Sequence, residues 1–175
     1  EYKLLKIGIN GFAGGHSGKD ITKGRGNPIE EMGLLLKAIN DKYDMHLKNI
    51  YGGRKVNVIP RECYSEIYVK KDKVNDIYQE IKQCKKQILK KIHSNNEKIN
   101  VTINEEINSK ENSLKIATDI NTTKNIIEVI NSIPNGVYYK DKYNNPLVSL
   151  NIGKICIENN QLHLSFSIRS NRKEI

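Results

Sequence analysis

An α+β fold, built as a two-layer antiparallel sheet with helices on one face, is predicted by three observations. Runs of period two and runs of period 3.6 succeed each other in the order βαββαβ over residues 1–105. Beyond residue 106 a helical run and two alternating runs follow, a partial αββ repeat of the same pattern. The composition, 37% hydrophobic and 28% charged over 175 residues, is that of an ordinary globular chain, long enough for one domain or two small fused halves.

The first strand, Lys3 to Asn10, places Leu5, Ile7 and Ile9 on one face. A glycine-rich loop follows. Asn27 then offers an N-cap, Pro28 suits the first helical position and Glu30 stands at the third, so a helix starts here. Ile29, Met32, Leu36 and Ile39 give it one buried face, ending near Asp41. Met45 to Ile50 reads as a strand, and Gly52-Gly53 and Pro60 bracket a loop. From Glu62 to Val69, Cys63, Ser65, Ile67 and Val69 face one way, with Tyr64, Glu66 and Tyr68 facing the other. Val74, Ile77, Ile81, Cys84, Ile88 and Ile92 step by three or four along a helix from Lys73 to His93. Lys98 to Ile103 alternates again. This βαββαβ order commonly forms a four-stranded antiparallel sheet with two helices on one face, the ferredoxin-like arrangement.

A polar linker around Asn108 to Asn112 opens the second unit, residues 106–175. A helix from Thr123 to Ser132 carries Ile126, Ile127, Ile130 and Ile133, and Pro134-Asn135-Gly136 stops it. Two long strands, Leu147 to Glu158 and Gln161 to Ser170, meet at Asn159-Asn160, residues that tolerate positive φ in a hairpin turn. Leu162, Leu164, Phe166 and Ile168 line one face of the last strand. The chain thus reads as a tandem of related halves whose second member is truncated near Ile175.

The net charge of +9 raises nucleic acid as a partner. Many of the lysines, however, stand on the polar face of one helix: Lys71, Lys73, Lys82, Lys85, Lys86, Lys90 and Lys91 alternate with its apolar stripe. Abundant Asn, Ile and Lys along the whole chain add a compositional bias. Neither nucleic acid nor membrane is the expected partner: no apolar run approaches the ~20 residues of a span, no signal peptide opens the chain, and the expectation is a soluble, cytoplasmic protein. Cys63, Cys84 and Cys156 are odd in number and widely spaced, which suits reduced buried thiols.

Six of the sixteen residues from Gly11 to Gly26 are glycine, and His16 sits among them. Glycines let backbone approach a ligand closely. A phosphate-binding loop is excluded, because its first glycine would fall at Ala13 and Asp20 would replace the magnesium-binding hydroxyl. The dinucleotide fingerprint fails too, since Ile29 stands where Gly24-Arg25-Gly26 needs a third glycine. His16, His46, His93 and His163 are scattered, so no metal site is expected in this chain. Ser17 beside His16 lacks the geometry of a nucleophile and its base.

What remains is a set of binding groups on loops and strand ends: His16, Asn57 and Arg169. An imidazole donates to a developing oxyanion, an amide donates and accepts around a peptide group, and a guanidinium forks to a carboxylate. Each also has an ordinary reading. His16 suits a solvated loop residue, Asn57 a turn residue bonded to its own backbone, and Arg169 a surface charge at a strand end.

A shared pattern bears on the choice. Gly11-Phe-Ala-Gly-Gly-His-Ser-Gly18, Gly24-Arg-Gly-Asn27, Gly52-Gly53 with Asn57-Val-Ile-Pro-Arg-Glu62, Pro134-Asn-Gly-Val137, Ser149-Leu-Asn-Ile-Gly153 and Ile168-Arg-Ser170 occur in that order. Together they closely resemble the lid, or dimerisation, domain of aminoacyl-histidine (Xaa-His) dipeptidases, carnosinase-like members of the dizinc exopeptidase superfamily. The resemblance covers nearly all of the chain. It implies a longer parent metallopeptidase whose catalytic domain, absent here, holds two zinc ions, and a lid that pairs into a homodimer, takes a dipeptide substrate and is inactive alone. By the same resemblance His16 stabilises the tetrahedral oxyanion, Asn57 binds substrate and Arg169 clamps its C-terminal carboxylate. Two other classes stay open: a basic ferredoxin-like nucleic-acid-binding module, which would stack bases on Tyr64 and Tyr68, and a purely structural dimerisation scaffold.

Overall fold

The computed structural model describes residues 1–92, 98–106 and 117–171. Strands β1 (Tyr2–Asn10), β2 (Gly15–His16), β3 (Met45–Gly52), β4 (Val58–Ile59), β5 (Glu62–Lys70), β6 (Asn100–Glu105), β7 (Gly136–Lys140), β8 (Pro146–Glu158) and β9 (Gln161–Ser170) alternate with helices α1 (Pro28–Asn40), α2 (Val74–Lys91) and α3 (Ile120–Ser132). His93 and the linker around Asn108 to Asn112 lie outside the described residues.

The first half has the expected topology. Its strands run β6-β1-β5-β3, every neighbour antiparallel, with β1 fully registered on β5 from Tyr2 opposite Lys70 to Asn10 opposite Glu62. Local chemistry sets the ends of the helices. The Asn27 side chain accepts from the Ile29 amide at 3.0 Å, ahead of Pro28, and the Asp119 carboxylate caps α3 by accepting from the Thr122 amide at 2.9 Å. The β8–β9 turn holds Asn159 and Asn160 at φ 52° and 60°, as a two-residue hairpin requires.

The second half does not form a separate sheet. β8 adds to the free edge of β3, pairing Tyr51 with Cys156 and Gly52 with Ile155, so one sheet carries strands from both halves. α3 lies beside α1 over the same face. One hydrophobic cluster joins Leu5, Ile7 and Ile9 of β1, Met32 and Leu36 of α1, Ile127 and Ile130 of α3, and Ile152 and Ile155 of β8. Fully burying each such side chain contributes about 1.5–3 kcal/mol. The lysines of α2 face solvent opposite its buried Val74, Ile77, Ile81, Cys84 and Ile88, and the three cysteines are free and buried.

Three details differ from the sequence reading. β7 is an added strand, because Tyr138 and Tyr139 are consecutive, both exposed and flanked by register shifts, which leaves no period of two. On β9, Leu162 and Leu164 pack on the core, whereas Phe166 and Ile168 are exposed, 43% and 63%, beyond the bulge where Ile152 pairs Phe166 and Lys154 pairs Ser165. The glycine-rich loop is partly structured: β2 pairs with β4, and a short 3-10 turn spans Ile21–Lys23.

The α1–α3 contact gives a test whose sign separates propensity from packing. Gly33 lies inside α1, where alanine is ordinarily favoured by about 0.5–1 kcal/mol. A Cβ there would meet the Ile130 Cγ2 methyl at 2.6 Å, and Asn131 of α3 already donates to the Gly33 carbonyl at 2.9 Å. Overpacking therefore decides: Gly33→Ala is expected to destabilise by about 1–3 kcal/mol, seen as a lower urea midpoint. A raised midpoint would show that α3 does not rest on this turn.

Candidate functional site

β1 delivers the chain to Gly11, and the loop then folds back on itself. Gly15 has φ of +134°, and a side chain there would run into the Asp20 carboxylate and the Arg25 guanidinium. That compactness lets Asp20 organise the turn. Its carboxylate accepts from the His16 amide at 2.8 Å and pairs with Lys23 at 2.7 Å and Arg25 at 3.3 Å, while Arg25 also donates to the Gly14 carbonyl. The Lys23 ammonium, the His16 amide and the nearby Arg25 pull the Asp20 carboxyl from its ordinary value down to about 2. A depressed carboxylate pKa contributes order above its unfolded value and loses it as pH falls through the folded one. The His16 amide resonance is accordingly expected to shift with a midpoint near 2, not near the ordinary ~3.9; a midpoint at the ordinary value would mean that Asp20 is not engaged.

The same turn fixes the imidazole. His16 Nδ1 accepts from the Gly18 amide at 3.0 Å and from the Lys19 amide at 3.3 Å. An acceptor cannot carry the proton, so the neutral ring holds it on Nε2 and offers one N–H donor away from the loop. His16 is exposed, and its backbone lies opposite Val58 across the β2–β4 pair.

Arg169 arrives from the other end of the chain on β9, opposite Ser149 of β8. The two meet across Gly18: a Cβ at that position would stand 3.0 Å from Arg169 Cζ and 3.2 Å from His16 Cε1. His16 and Arg169, with Lys19, Ser149 and Asn171, line one cavity of about 340 Å³. Among the described residues no Asp or Glu lines it, and Arg169 makes no ion pair. An exposed imidazole donor beside a guanidinium that has no ion pair among the described residues suits a ligand that carries both a polarised oxygen and a carboxylate.

Asn57 does not line this cavity. It is exposed on the β3–β4 loop and joins the site through its backbone, its carbonyl accepting from the Ser17 amide at 3.1 Å. Its seat comes from the second half. Asn151 of β8 donates to the carbonyls on either side of Asn57, Val56 at 3.1 Å and Val58 at 3.0 Å, while its own buried Oδ1 has no hydrogen-bond partner among the described residues. Neighbouring Gly153 has no side chain because the loop's Lys55 and Val56 carbonyls pack directly on it.

The motifs far apart in sequence are therefore parts of one place. Asn27 donates to Asn135 Oδ1 at 3.0 Å and to the Ile152 carbonyl at 2.9 Å, Asn135 Oδ1 also accepts from the Ile152 amide at 3.1 Å, and Asn135 donates to Glu30 at 3.1 Å. This network ties the start of α1 and the end of α3 to β8. Sequence reasoning singled out neither Lys19, Ser149 and Asn171 as cavity residues nor Asn151 as the seat of Asn57. Only the Ser149–Gly153 motif marked that neighbourhood.

A family model described as a peptidase dimerisation domain matches residues 7–100. The chain belongs to the peptidase dimerisation domain family. The chain is also 30% identical over 177 residues to the cytosol non-specific dipeptidase of Escherichia coli (strain K12), covering 97% of this chain and 34% of that protein. Its fold matches the aminoacylhistidine dipeptidase from Vibrio alginolyticus with a TM-score of 0.89 at 24% identity, over 98% of this chain and 34% of that one. The family match bears out the resemblance read from the motifs. The chain thus spans about a third of the length of both relatives. None of its described helices is long and apolar enough to cross a membrane.

Proposed function

We propose that this chain is the lid of a longer, cytoplasmic, zinc-dependent dipeptidase that hydrolyses Xaa-His type dipeptides, and that the lid also pairs the parent into a homodimer. The observation that carries the reading is the meeting of His16 and Arg169 in one cavity with no acidic residue among its described lining residues. His16 Nε2–H donates to the oxyanion that develops on the scissile carbonyl and Arg169 forks to the C-terminal carboxylate of the dipeptide, while Asn57, outside the cavity in this chain, meets the peptide group only as the lid closes. Residues 1–105 and 106–175 serve as two related halves, the first presenting His16 and Asn57 and the second presenting Arg169 and the Asn151 seat.

The two zinc ions are assigned to the parent's catalytic domain. Among the described residues no group of three or more His, Cys, Asp or Glu side chains is placed to hold a metal. The lid's contribution is to bind, orient and exclude water as it closes over the substrate. The nucleic-acid reading is disfavoured by the open sheet face: Tyr68 is only 2% exposed, Tyr64 stacks on Tyr51 with centroids 5.3 Å apart, and Glu62 and Glu66 stand beside it.

The parent enzyme is expected to cleave Xaa-His dipeptides in a reaction abolished by chelation and restored by zinc. The 175-residue chain alone is expected to release no amino acid from the same substrates. Hydrolysis by the isolated chain, or a metal-loaded parent that cleaves no dipeptide, would overturn the proposal.

A further inference from the structure

The cavity shared by His16 and Arg169 contains a second cation. Lys19 lines it, and its backbone is fixed there by donation of its amide to His16 Nδ1 at 3.3 Å. It follows directly on Gly18, the residue against which the Arg169 guanidinium rests. The nearest acid in sequence, Asp20, is already committed to Lys23, Arg25 and the His16 amide. Among the described residues neither Lys19 nor Arg169 makes an ion pair, whereas Lys3, Lys6, Lys48 and Lys91 each have a carboxylate partner. Two cations on one cavity wall with no counter-charge among the described residues disfavour each other, and a ligand with two carboxylates relieves that repulsion more fully than a ligand with one.

We propose that Lys19 extends this cavity beyond Xaa-His dipeptides by favouring an acidic C-terminal residue over its neutral isostere, Arg169 taking the main-chain carboxylate and Lys19 the side-chain carboxylate. The proposal rests on the reading of Arg169 as the carboxylate clamp. Lys19 then determines specificity at this cavity without taking part in bond cleavage. Its side chain is exposed in this chain, so its contribution is that of a screened ion pair, strengthened to the extent that the cavity closes.

The test compares kcat/KM of the full-length parent for Ala-Asp and Ala-Asn, which are alike in shape and differ by one charge. A ratio of about 5 in favour of Ala-Asp is expected at low ionic strength, the upper end of what an exposed ion pair supplies, shrinking in about 0.5 M salt. Lys19→Gln is expected to bring the ratio to about one, and Lys19→Glu to invert it. A ratio at or below one in the native enzyme, or one that Lys19→Gln leaves unchanged, overturns the proposal. Arg169→Ala on Ala-Ala and its C-terminal amide tests the clamp separately. Equal loss on both removes the clamp and with it the basis of the proposal, whereas selective loss on Ala-Ala beside a ratio independent of Lys19 removes only the role of Lys19.

Discussion

Replacing His16 by alanine in the full-length enzyme is expected to lower kcat by about 10²- to 10³-fold while changing KM little, the signature of a donor used mainly in the transition state. The expectation follows from the turn that holds the ring. Two backbone amides, those of Gly18 and Lys19, point at Nδ1, so only Nε2 has a proton to give, and it faces out of the loop. Metal content and oligomeric state of the variant, measured by emission spectroscopy and light scattering, should match the native enzyme. Native turnover in such a variant would sink the oxyanion role and favour the purely structural scaffold instead.

The second large effect belongs to Arg169. Arg169→Ala is expected to reduce kcat/KM by about 10²-fold on dipeptides with a free carboxylate, within the range for removing one partner of a desolvated charge pair. The loss should be carried mostly by KM and should be small on C-terminally amidated substrates. Arg169 stands against Gly18 and has no carboxylate partner among the described residues. Gly18 adds a check on the geometry, since a methyl there would meet both Arg169 and His16. An equal loss on free and amidated dipeptides would show that Arg169 supports the site without touching the substrate carboxylate.

Much of the fold was legible because its signals are local. Asn27-Pro28 caps α1, Asn159-Asn160 turns the last hairpin, and the alternation of Cys63, Ser65, Ile67 and Val69 marks one face of β5, all within a few residues of sequence. β7 was not legible: it is short and irregular, and its aromatic residues do not alternate. The three candidate site residues could be picked out by chemistry and by motif. Lys19 and Asn151 could not, since nothing in the sequence distinguishes a lysine that lines a cavity from one on a helix face, or an asparagine that holds a loop from one that caps a turn.

Sequence alone thus determined the periodicities, the helix starts, the hairpin turn and the residue types able to bind an oxyanion, a peptide group and a carboxylate. It also showed that the glycine loop lacks the spacing of a phosphate cradle. Tertiary structure decided how the halves combine, because edge pairing of β3 with β8 depends on contacts more than a hundred residues apart, Tyr51 with Cys156 among them. It likewise decided that His16 and Arg169 meet at Gly18 while Asn57 sits outside their cavity on a seat made by Asn151. Hydrogen bonds and van der Waals contacts act over a few ångströms, and only the folded chain brings residues from its two ends within that range.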